Sequence, residues 1–422
     1  MKNNTLHWPS AVQFALSILG IIGCWGMAGL TILVGLMQLL GRSSIEGGGT
    51  SMFLLASGGV LGGVLVIPSA GYALGRLLDR PVMRPGWLQG HPRLALVPTG
   101  SMLLLPLIWF LGDRVSRMER LSWLLLPPLH ILAVGIPILW FIYLGRRKLP
   151  TGSPQRAWGV FTSGLILGPS IILVLEMAAL VVMMFVLMIY MFSQPGLMQK
   201  LTSLFDPFGP SPDPQLIQRT LQPYLMRPGF IFALFVYIAG IVPLIEEVFK
   251  PIGIWFLVGR DLSPAEGFTA GLISGTGYAL FENLLLTSMG GDWAVTLIAR
   301  IGTSLLHITT ASLTGWALAV AWRKGRYWLL GLMYFVAVLL HSIWNAVALF
   351  TSAASLPFAN PSQEPLLQTA STVAYVLLGI LTVLLFFILI GLNYALRSAS
   401  EPVIRSENAV NPLPDRSDPA PG

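Results

Sequence analysis

The sequence has few charged residues and almost no cysteine. Only 10% of its 422 residues are Asp, Glu, Lys or Arg, whereas these residues make up about a quarter of a soluble domain. The remainder is strongly apolar, with 55% hydrophobic residues and a mean hydropathy of +0.74. This composition excludes an ordinary soluble domain. The single cysteine, Cys24, excludes a disulfide framework and a cysteine-based metal site.

The net charge of +7 does not come from a basic cluster. Lys and Arg are spread among the polar segments, and no segment resembles an RNA or DNA reader. In a chain this apolar, such an excess is typical of membrane topology and of contact with anionic lipid. The sequence therefore predicts the lipid bilayer as a partner and no nucleic acid.

Long apolar runs account for most of the chain. A membrane-spanning helix needs about 20 mostly apolar residues. The sequence therefore predicts an all-α fold, a polytopic membrane helix bundle with about ten transmembrane helices. The first run extends far beyond the apolar region of a signal peptide, so we interpret it as a spanning helix. The predicted spans are 11–40, 52–75, 94–112, 121–145, 159–192, 229–258, 268–289, 294–322, 327–351 and 367–395.

The distribution of charge predicts topology and domain organisation. Lys and Arg are more frequent on the side of the membrane that carries the N-terminus, so both termini are expected in the cytoplasm of a multi-pass cell-membrane protein. Ionisable residues within helices concentrate in one part of the chain. We predict an N-terminal membrane extension of about five helices with an external loop (1–228), a functional core (229–351), a final transmembrane helix (352–395) and a disordered cytoplasmic tail (396–422).

Two adjacent glutamates and a lysine interrupt an apolar run of the core: Glu246, Glu247 and Lys250. A charge at the bilayer centre costs about 2.5–3.5 kcal/mol on insertion scales. On a helix, Glu246 and Lys250 share a face and can pair, whereas Glu247 points about 100° away. Pro243 favours the start of a new helical segment, and Pro251 removes a backbone donor just after the lysine.

The next three helices also carry polar residues at spacings of about one turn. A ridge of small residues, typical of close helix packing, consists of Gly267, Gly271 and Gly275. Glu282 lies roughly on the same side as this ridge. A polar stripe on the following helix consists of Arg300, Thr303, His307, Thr310 and Thr314. His341 and Asn345 follow one turn apart. We therefore expect four helices to present polar groups to a common centre.

Each feature alone also has a structural interpretation. An ion pair, a buried histidine or a hydroxyl bonded to its own helix needs no function, and we assign none to Glu176 or His130. As a set, however, three acids face two bases. Structural pairing then leaves an acid that is protonated, binds a cation or meets water. Carboxylates and imidazoles around water are typical of a hydrolytic or a divalent-metal site, and they also suit ion translocation.

Four motifs, in this order, resemble the PrsW family of intramembrane proteases, which is related to CAAX-prenyl and bacteriocin-processing membrane proteases. Glu246-Glu247-Val-Phe-Lys250 is similar to the family's E-E-x-x-K motif. Gly275-Thr-Gly-Tyr-Ala-Leu-Phe-Glu282-Asn283 is similar to its G-x-G-F-A-x-x-E-N block, with Tyr278 where phenylalanine is usual. The later elements are matched by Arg300 with His307 and by His341 with Asn345. The resemblance covers about residues 230–350.

The resemblance implies an endopeptidase that cuts a membrane-anchored protein, such as an anti-sigma factor. In this hypothesis Glu246 or Glu247 takes a proton from the attacking water. The other expected catalytic residues orient the water or bind metal (Glu282 and His307) and donate to the developing oxyanion (His341 and Asn345). The expected supporting residues are Lys250, which balances the carboxylates, and Tyr278, Asn283 and Arg300.

A divalent metal such as zinc is implied by the resemblance, because members of the family are described as metalloproteases. The expected ligands are Glu247, Glu282, His307 and His341. A metal-independent glutamic mechanism stays open at this point, because carboxylates and imidazoles suit either chemistry.

Two other functions use the same residues. A proton-coupled transporter uses ionisable groups as a relay, although the inverted repeats typical of many transporters are not detected in this sequence. A non-catalytic scaffold binds transmembrane partners through the same helices. Cleavage of a single-pass reporter that depends on the glutamates distinguishes the protease from both alternatives.

Overall fold

The computed structural model describes residues 7–41, 49–80, 97–118, 120–193, 196, 199, 223–224, 227–285, 293–354 and 364–410. Within these ranges the secondary structure is helical and contains no strand, which confirms the all-α fold class. Eight helices of the described chain are long and apolar enough to cross a membrane. The described residues of the two other predicted spans, 94–112 and 268–289, also lie on helical segments. The protein is therefore a polytopic helix bundle.

The helices before residue 228 are α1 (Trp8–Leu39), α2 (Gly49–Leu77), α3 (Val97–Ser101), α4 (Leu105–Ser116), α5 (Ser122–Gly145), α6 (Pro154–Thr162) and α7 (Gly168–Phe192). A short 3-10 turn, Met102–Leu104, joins α3 to α4. A π-helical segment, Ser163–Leu167, joins α6 to α7. The long predicted span 159–192 is therefore one helix with a π segment just before Pro169, where the ring removes a backbone donor.

The later helices are α8 (Pro228–Val236), α9 (Val242–Phe249), α10 (Ile252–Trp255), α11 (Pro264–Leu284), α12 (Trp293–Lys324), α13 (Tyr327–Ala354) and α14 (Glu364–Val410). A second π segment, Tyr237–Ile241, joins α8 to α9. Helix α14 continues to Val410, and the predicted division into a final span (352–395) and a tail (396–422) stays a prediction. Residues 411–422 lie outside the described ranges.

The centre of the bundle is formed by α11 and α12. The 18-residue apolar window of the α12 span is 94% buried, whereas that of the continuous α6–α7 span is 6% buried. Helix α11 combines glycines, hydroxyl residues and few large aliphatic side chains, so its low apolarity suits a helix surrounded by protein rather than by lipid. Of the polar stripe on α12, Thr303, His307, Thr310 and Thr314 are buried, whereas Arg300 is partly exposed.

Close approach of α11 to its neighbours explains the predicted glycine ridge. A methyl group added at Gly271 would lie 2.2 Å from the carbonyl oxygen of Ala311, and one at Gly275 would lie 2.6 Å from that of His307. Such separations are far shorter than a carbon–oxygen contact, so only glycine permits this backbone spacing. The ridge therefore brings the α11 backbone directly against the α12 segment that carries His307.

The helices of the N-terminal extension pack against the same centre. On the other side of α11, a methyl group at Gly277 would lie 2.6 Å from the carbonyl oxygen of Phe161. His130 of α5 places Nε2 3.2 Å from the carbonyl oxygen of Asn283. The predicted boundary at residue 228 thus separates helices that are in close contact, and the division into an extension and a core stays a prediction.

Candidate active site

Two prolines shape the helix that carries the glutamates. Helix α9 begins at Val242 with Pro243 as its second residue, as the sequence predicted. The helix ends before Pro251, and the chain restarts as the short helix α10. The carbonyl oxygen of Lys250 then accepts a hydrogen bond of 2.6 Å from the Ser274 hydroxyl of α11. This contact holds the end of α9 against the centre of the bundle.

The lysine cluster consists of Glu246, Glu247 and Lys250 of this segment with His341 of α13. Lys250 is fully buried and places Nζ 2.7 Å from Glu247 Oε1 and 3.0 Å from Glu246 Oε2. His341 Nδ1 lies 2.8 Å from the same Glu247 oxygen and 3.2 Å from the ammonium group. One lysine therefore balances two carboxylates, while Glu247 also holds the imidazole of His341.

The arginine cluster consists of Glu282 of α11 with Arg300 and His307 of α12. Arg300 Nη2 lies 2.8 Å from Glu282 Oε1, and His307 Nε2 is hydrogen-bonded to Glu282 Oε2. Arg300 also donates from Nε to Asn283 Oδ1 at 3.0 Å. Asn283 in turn donates to the Ser304 hydroxyl at 3.1 Å. This network fixes Arg300 and, through Glu282, the ring of His307.

The two clusters meet at their histidines. The ring centroids of His307 and His341 are 5.4 Å apart, with an edge-to-face orientation. Tyr278 packs edge-to-face on His307 at 5.0 Å, and Lys250 Nζ lies 5.1 Å from the centroid of the Tyr278 ring. The four helices α9, α11, α12 and α13 therefore bring their polar groups to one centre.

Glu246, His307 and His341 offer ligand atoms that all lie within 4.8 Å of one another. His341 uses Nδ1 with Glu247, and its Nε2 lies 3.9 Å from Glu246 Oε2. His307 uses Nε2 with Glu282, and its buried Nδ1 has no hydrogen-bond partner within the described part of the chain. Metal-binding histidines typically have one ring nitrogen held by a carboxylate in this way. A carboxylate with two histidines also fits the ligand types of a zinc site.

The expected metal ligands occupy two different positions. His307 and His341 lie at the centre. Glu247 and Glu282 each contact one ring nitrogen of a histidine, which leaves the second ring nitrogen available for a metal. Glu246 takes the place next to the histidines. The geometry therefore favours Glu246, His307 and His341 as direct ligands, with Glu247 and Glu282 behind the two rings.

The side-chain amide of Asn345, expected to be an oxyanion donor, is hydrogen-bonded to the backbone of another helix. This amide donates to the carbonyl oxygen of Ile238 in the second π segment, at 2.9 Å. The supporting residues Tyr278, Asn283, Arg300 and Lys250 all belong to the two clusters or contact them.

Three contributors to the site were not selected from the sequence. Ser274 and Ser304 bond the Lys250 carbonyl oxygen and the Asn283 amide, respectively. Glu176 of α7, which we assigned no function, lies close enough to Glu246 for their carboxyl groups to interact. The only signal for Glu176 was its position as a single acid in a long apolar run, and serines in membrane helices are too common to select two of them.

The comparisons with known proteins point to the same region. A family model described as PrsW family intramembrane metalloprotease matches residues 214–392, which is somewhat less than half of the chain. No curated protein and no solved structure matches the sequence. The matched range contains both clusters and extends beyond the 230–350 predicted from the motifs. The resemblance is therefore confirmed: residues 214–392 of this chain match the model of the PrsW family of intramembrane metalloproteases.

Proposed function

We propose that the protein is an intramembrane endopeptidase that hydrolyses a peptide bond of a membrane-anchored protein. The observation that supports it most is the convergence of Glu246, His307 and His341 inside a bundle of spanning helices, within the range that matches the protease family. The family match supports membrane proteolysis in general. The substrate, the water-activating residue and the metal belong to this proposal.

Glu246 is the better candidate for the residue that takes a proton from water. Glu247 is fully buried, and its Oε1 contacts both Lys250 and His341, so water reaches it less readily. Glu246 retains slight exposure, and its Oε2 lies 3.9 Å from His341 Nε2. A single water between these two atoms can hydrogen-bond to both. A carboxylate positioned in this way acts as a general base, and general acid–base catalysis contributes about 10²–10⁴-fold to a rate.

Peptide hydrolysis with Glu246 as the base proceeds through three movements of protons and charge. The water oxygen adds to the scissile carbonyl carbon while its proton moves to Glu246. The carbonyl oxygen becomes negative, and His341 donates to it from Nε2 when both ring nitrogens carry a proton, with Nδ1 held by Glu247. The proton on Glu246 passes to the leaving nitrogen as the C–N bond breaks. Lys250 balances the charge of Glu247 throughout, and that of Glu246 before it takes the proton and after it releases it, because its ammonium group lies within 3.0 Å of both.

The residues present also fit a divalent metal such as zinc. Glu246, His307 and His341 would hold it, and Glu247 and Glu282 would orient the two histidine rings. Three carboxylates against Lys250 and Arg300 leave one negative charge, which favours a cation at this position. A bound zinc ion supplies a more acidic water and polarises a carbonyl oxygen. The metal-free mechanism with Glu246 as base is the alternative that a chelator distinguishes.

The remaining parts of the proposal concern location and substrate choice. We propose a multi-pass protein of the cell membrane with both termini in the cytoplasm. The substrate is a membrane-anchored protein that reaches the site within the bilayer. The N-terminal helices, which pack on α11, are well placed to influence which substrate segment approaches the site.

Reporter cleavage by the purified protein tests this proposal. Wild type in lipid nanodiscs is incubated with single-pass membrane proteins that carry a tag at each end, with and without a chelator. We expect Glu246→Gln and His307→Ala to reduce cleavage by about 10²–10⁴-fold. Asp261→Asn is the matched control. It also removes a carboxylate, but the side chain of Asp261 is 82% exposed and pairs with Arg323 instead of with a residue of the site.

The outcomes separate the mechanisms as well. Loss of cleavage with chelator that zinc restores supports the metal-dependent form, and cleavage unaffected by chelator supports the glutamic form. Cleavage that persists undiminished in both Glu246→Gln and His307→Ala would contradict the proposed function.

A further inference from the structure

The π segment before the glutamates leaves a gap in the backbone hydrogen bonding. In this segment, Tyr237–Ile241, the amide of Val242 donates to the carbonyl oxygen of Tyr237, five residues earlier. The next amide in the same pattern would belong to residue 243 and would donate to Ile238. Residue 243 is a proline and has no amide hydrogen. The Ile238 carbonyl oxygen therefore lacks its donor from the helix.

A side chain from another helix supplies the missing hydrogen bond. Asn345 of α13 donates from Nδ2 to the Ile238 carbonyl oxygen at 2.9 Å. Inside a membrane protein an unsatisfied carbonyl group is costly, because there is no bulk water to replace the partner. The amide of Asn345 is thus well matched to the gap that Pro243 creates.

This contact lies next to the site on both helices. Along α9, Pro243 precedes Glu246 by three residues, and along α13, Asn345 follows His341 by four. Residues at these spacings lie about one turn apart on one side of a helix. The bond between Asn345 and Ile238 therefore ties α13 to the helical run that carries Glu246, about one turn from His341 and about two turns from Glu246.

We propose that Asn345 is a positioning residue whose amide replaces the backbone donor absent at Pro243 and thereby sets the distance between α9 and α13 at the site. The proposal deepens the proposed function and rests on it for the catalytic consequence only. It assigns Asn345 a role through Glu246 and His341, in place of direct contact with the substrate oxyanion. The structural part holds whether or not the protein is a protease.

A double-mutant cycle between Asn345 and Pro243 tests the proposal. Asn345→Ala, Pro243→Ala and the double variant are compared with wild type by thermal unfolding of the full chain in nanodiscs and by reporter cleavage. In wild type we expect Asn345→Ala to lower the unfolding midpoint by a few degrees and to reduce cleavage at least tenfold. With Pro243→Ala, the new backbone amide bonds Ile238, so adding Asn345→Ala should shift the midpoint much less and should leave most of the cleavage intact.

Two matched controls show that any coupling is specific. Pro169 follows the first π segment as Pro243 follows the second, so Pro169→Ala should not change the effect of Asn345→Ala. Asn393 is also a buried asparagine that donates to backbone carbonyls, at Gly145 and Arg147, and Asn393→Ala should be independent of Pro243.

Two results would overturn the proposal. The first is an equal midpoint loss from Asn345→Ala in the two backgrounds. The second is a loss of cleavage without any midpoint change, undiminished by Pro243→Ala, which would identify Asn345 as a direct catalytic donor. If no variant and no wild type cleaves any reporter, the proposed function fails, and the unfolding cycle still decides the structural role.

Discussion

The lysine cluster and the arginine cluster each hold one histidine by a carboxylate, yet their surroundings differ. In the lysine cluster, Lys250 and Glu247 are fully buried, and both carboxylates depend on one ammonium group. In the arginine cluster, the side chains of Arg300 and Glu282 retain 19% and 32% of their exposure, and the pair is one to one. The comparison indicates that the lysine cluster is the enclosed part of the site and that the arginine cluster is its more exposed side.

The two clusters should respond differently to mutation, because a buried charge that loses its partner costs more free energy than an exposed one. Removing one member of a buried ion pair leaves a charge without compensation, which costs about 3–5 kcal/mol. A pair that retains contact with water or headgroups loses less, because its partner can be solvated. The same change of charge should therefore have unequal effects in the two clusters.

Removing the ammonium group should have the largest effect on stability. Lys250→Met keeps the length of the side chain but leaves Glu246 and Glu247 uncompensated in a dry position. We expect the free energy of unfolding to fall by about 3–5 kcal/mol, measured by thermal or denaturant unfolding in nanodiscs. Adding Glu247→Gln should restore part of this loss, since one of the two stranded charges is then removed. An unchanged unfolding midpoint for Lys250→Met would show that the two carboxylates do not need this lysine.

The next largest effect is expected from removing the charge of Glu247 or Glu282, the carboxylates that contact the histidine rings. Glu247→Gln and Glu282→Gln each weaken the support of one ring nitrogen, and such changes typically reduce metal affinity by about 10–100-fold. Zinc affinity measured by competition with a chelating dye checks this prediction. Glu247→Gln should have the greater effect, because Glu247 is fully buried, whereas the side chain of Glu282 is 32% exposed. Asp261→Asn is again the control, and equal affinity in all four proteins would argue against the proposed arrangement of ligands.

The smallest expected effect belongs to the arginine. Arg300→Met removes the partner of Glu282, but this carboxylate keeps its contact with His307 and its partial exposure. We expect a loss of about 1 kcal/mol in the free energy of unfolding, clearly below that of Lys250→Met in the same assay. If the two substitutions cost the same, the contrast between a sealed and an accessible cluster is wrong.

The fold was largely predictable because lipid imposes a strict rule on the backbone. Every amide and carbonyl within the bilayer needs an internal partner, so an apolar run of sufficient length must be helical. The described residues of all ten predicted spans accordingly lie mostly on helical segments. The end of α14 was less predictable, since past the apolar run the choice between helix and coil depends on weak propensities.

The residues of the site were also visible as an unusual set, but their partners were not. Spacing along α9 indicated that Glu246 can pair with Lys250, and the structure adds Glu247 to the same ammonium group. Spacing could not indicate which glutamate faces the histidines, because this depends on how α9, α11, α12 and α13 are rotated about their axes. The expected ligands Glu247 and Glu282 contact the histidine rings for that reason, and a carboxylate oxygen of Glu246 lies within 4.8 Å of a ring nitrogen of each histidine.

The sequence by itself determined that this chain crosses the membrane many times and carries acids, bases and histidines where lipid would reject them, since both follow from residue type and local spacing. Only the tertiary structure decided how these groups are shared: one histidine for each carboxylate partner, Glu246 at the centre, and Asn345 at the carbonyl group that Pro243 leaves open. Contacts between residues 94 and 107 positions apart depend on the packing of whole helices, and the close glycine contacts of α11 with α12 are part of what sets that packing.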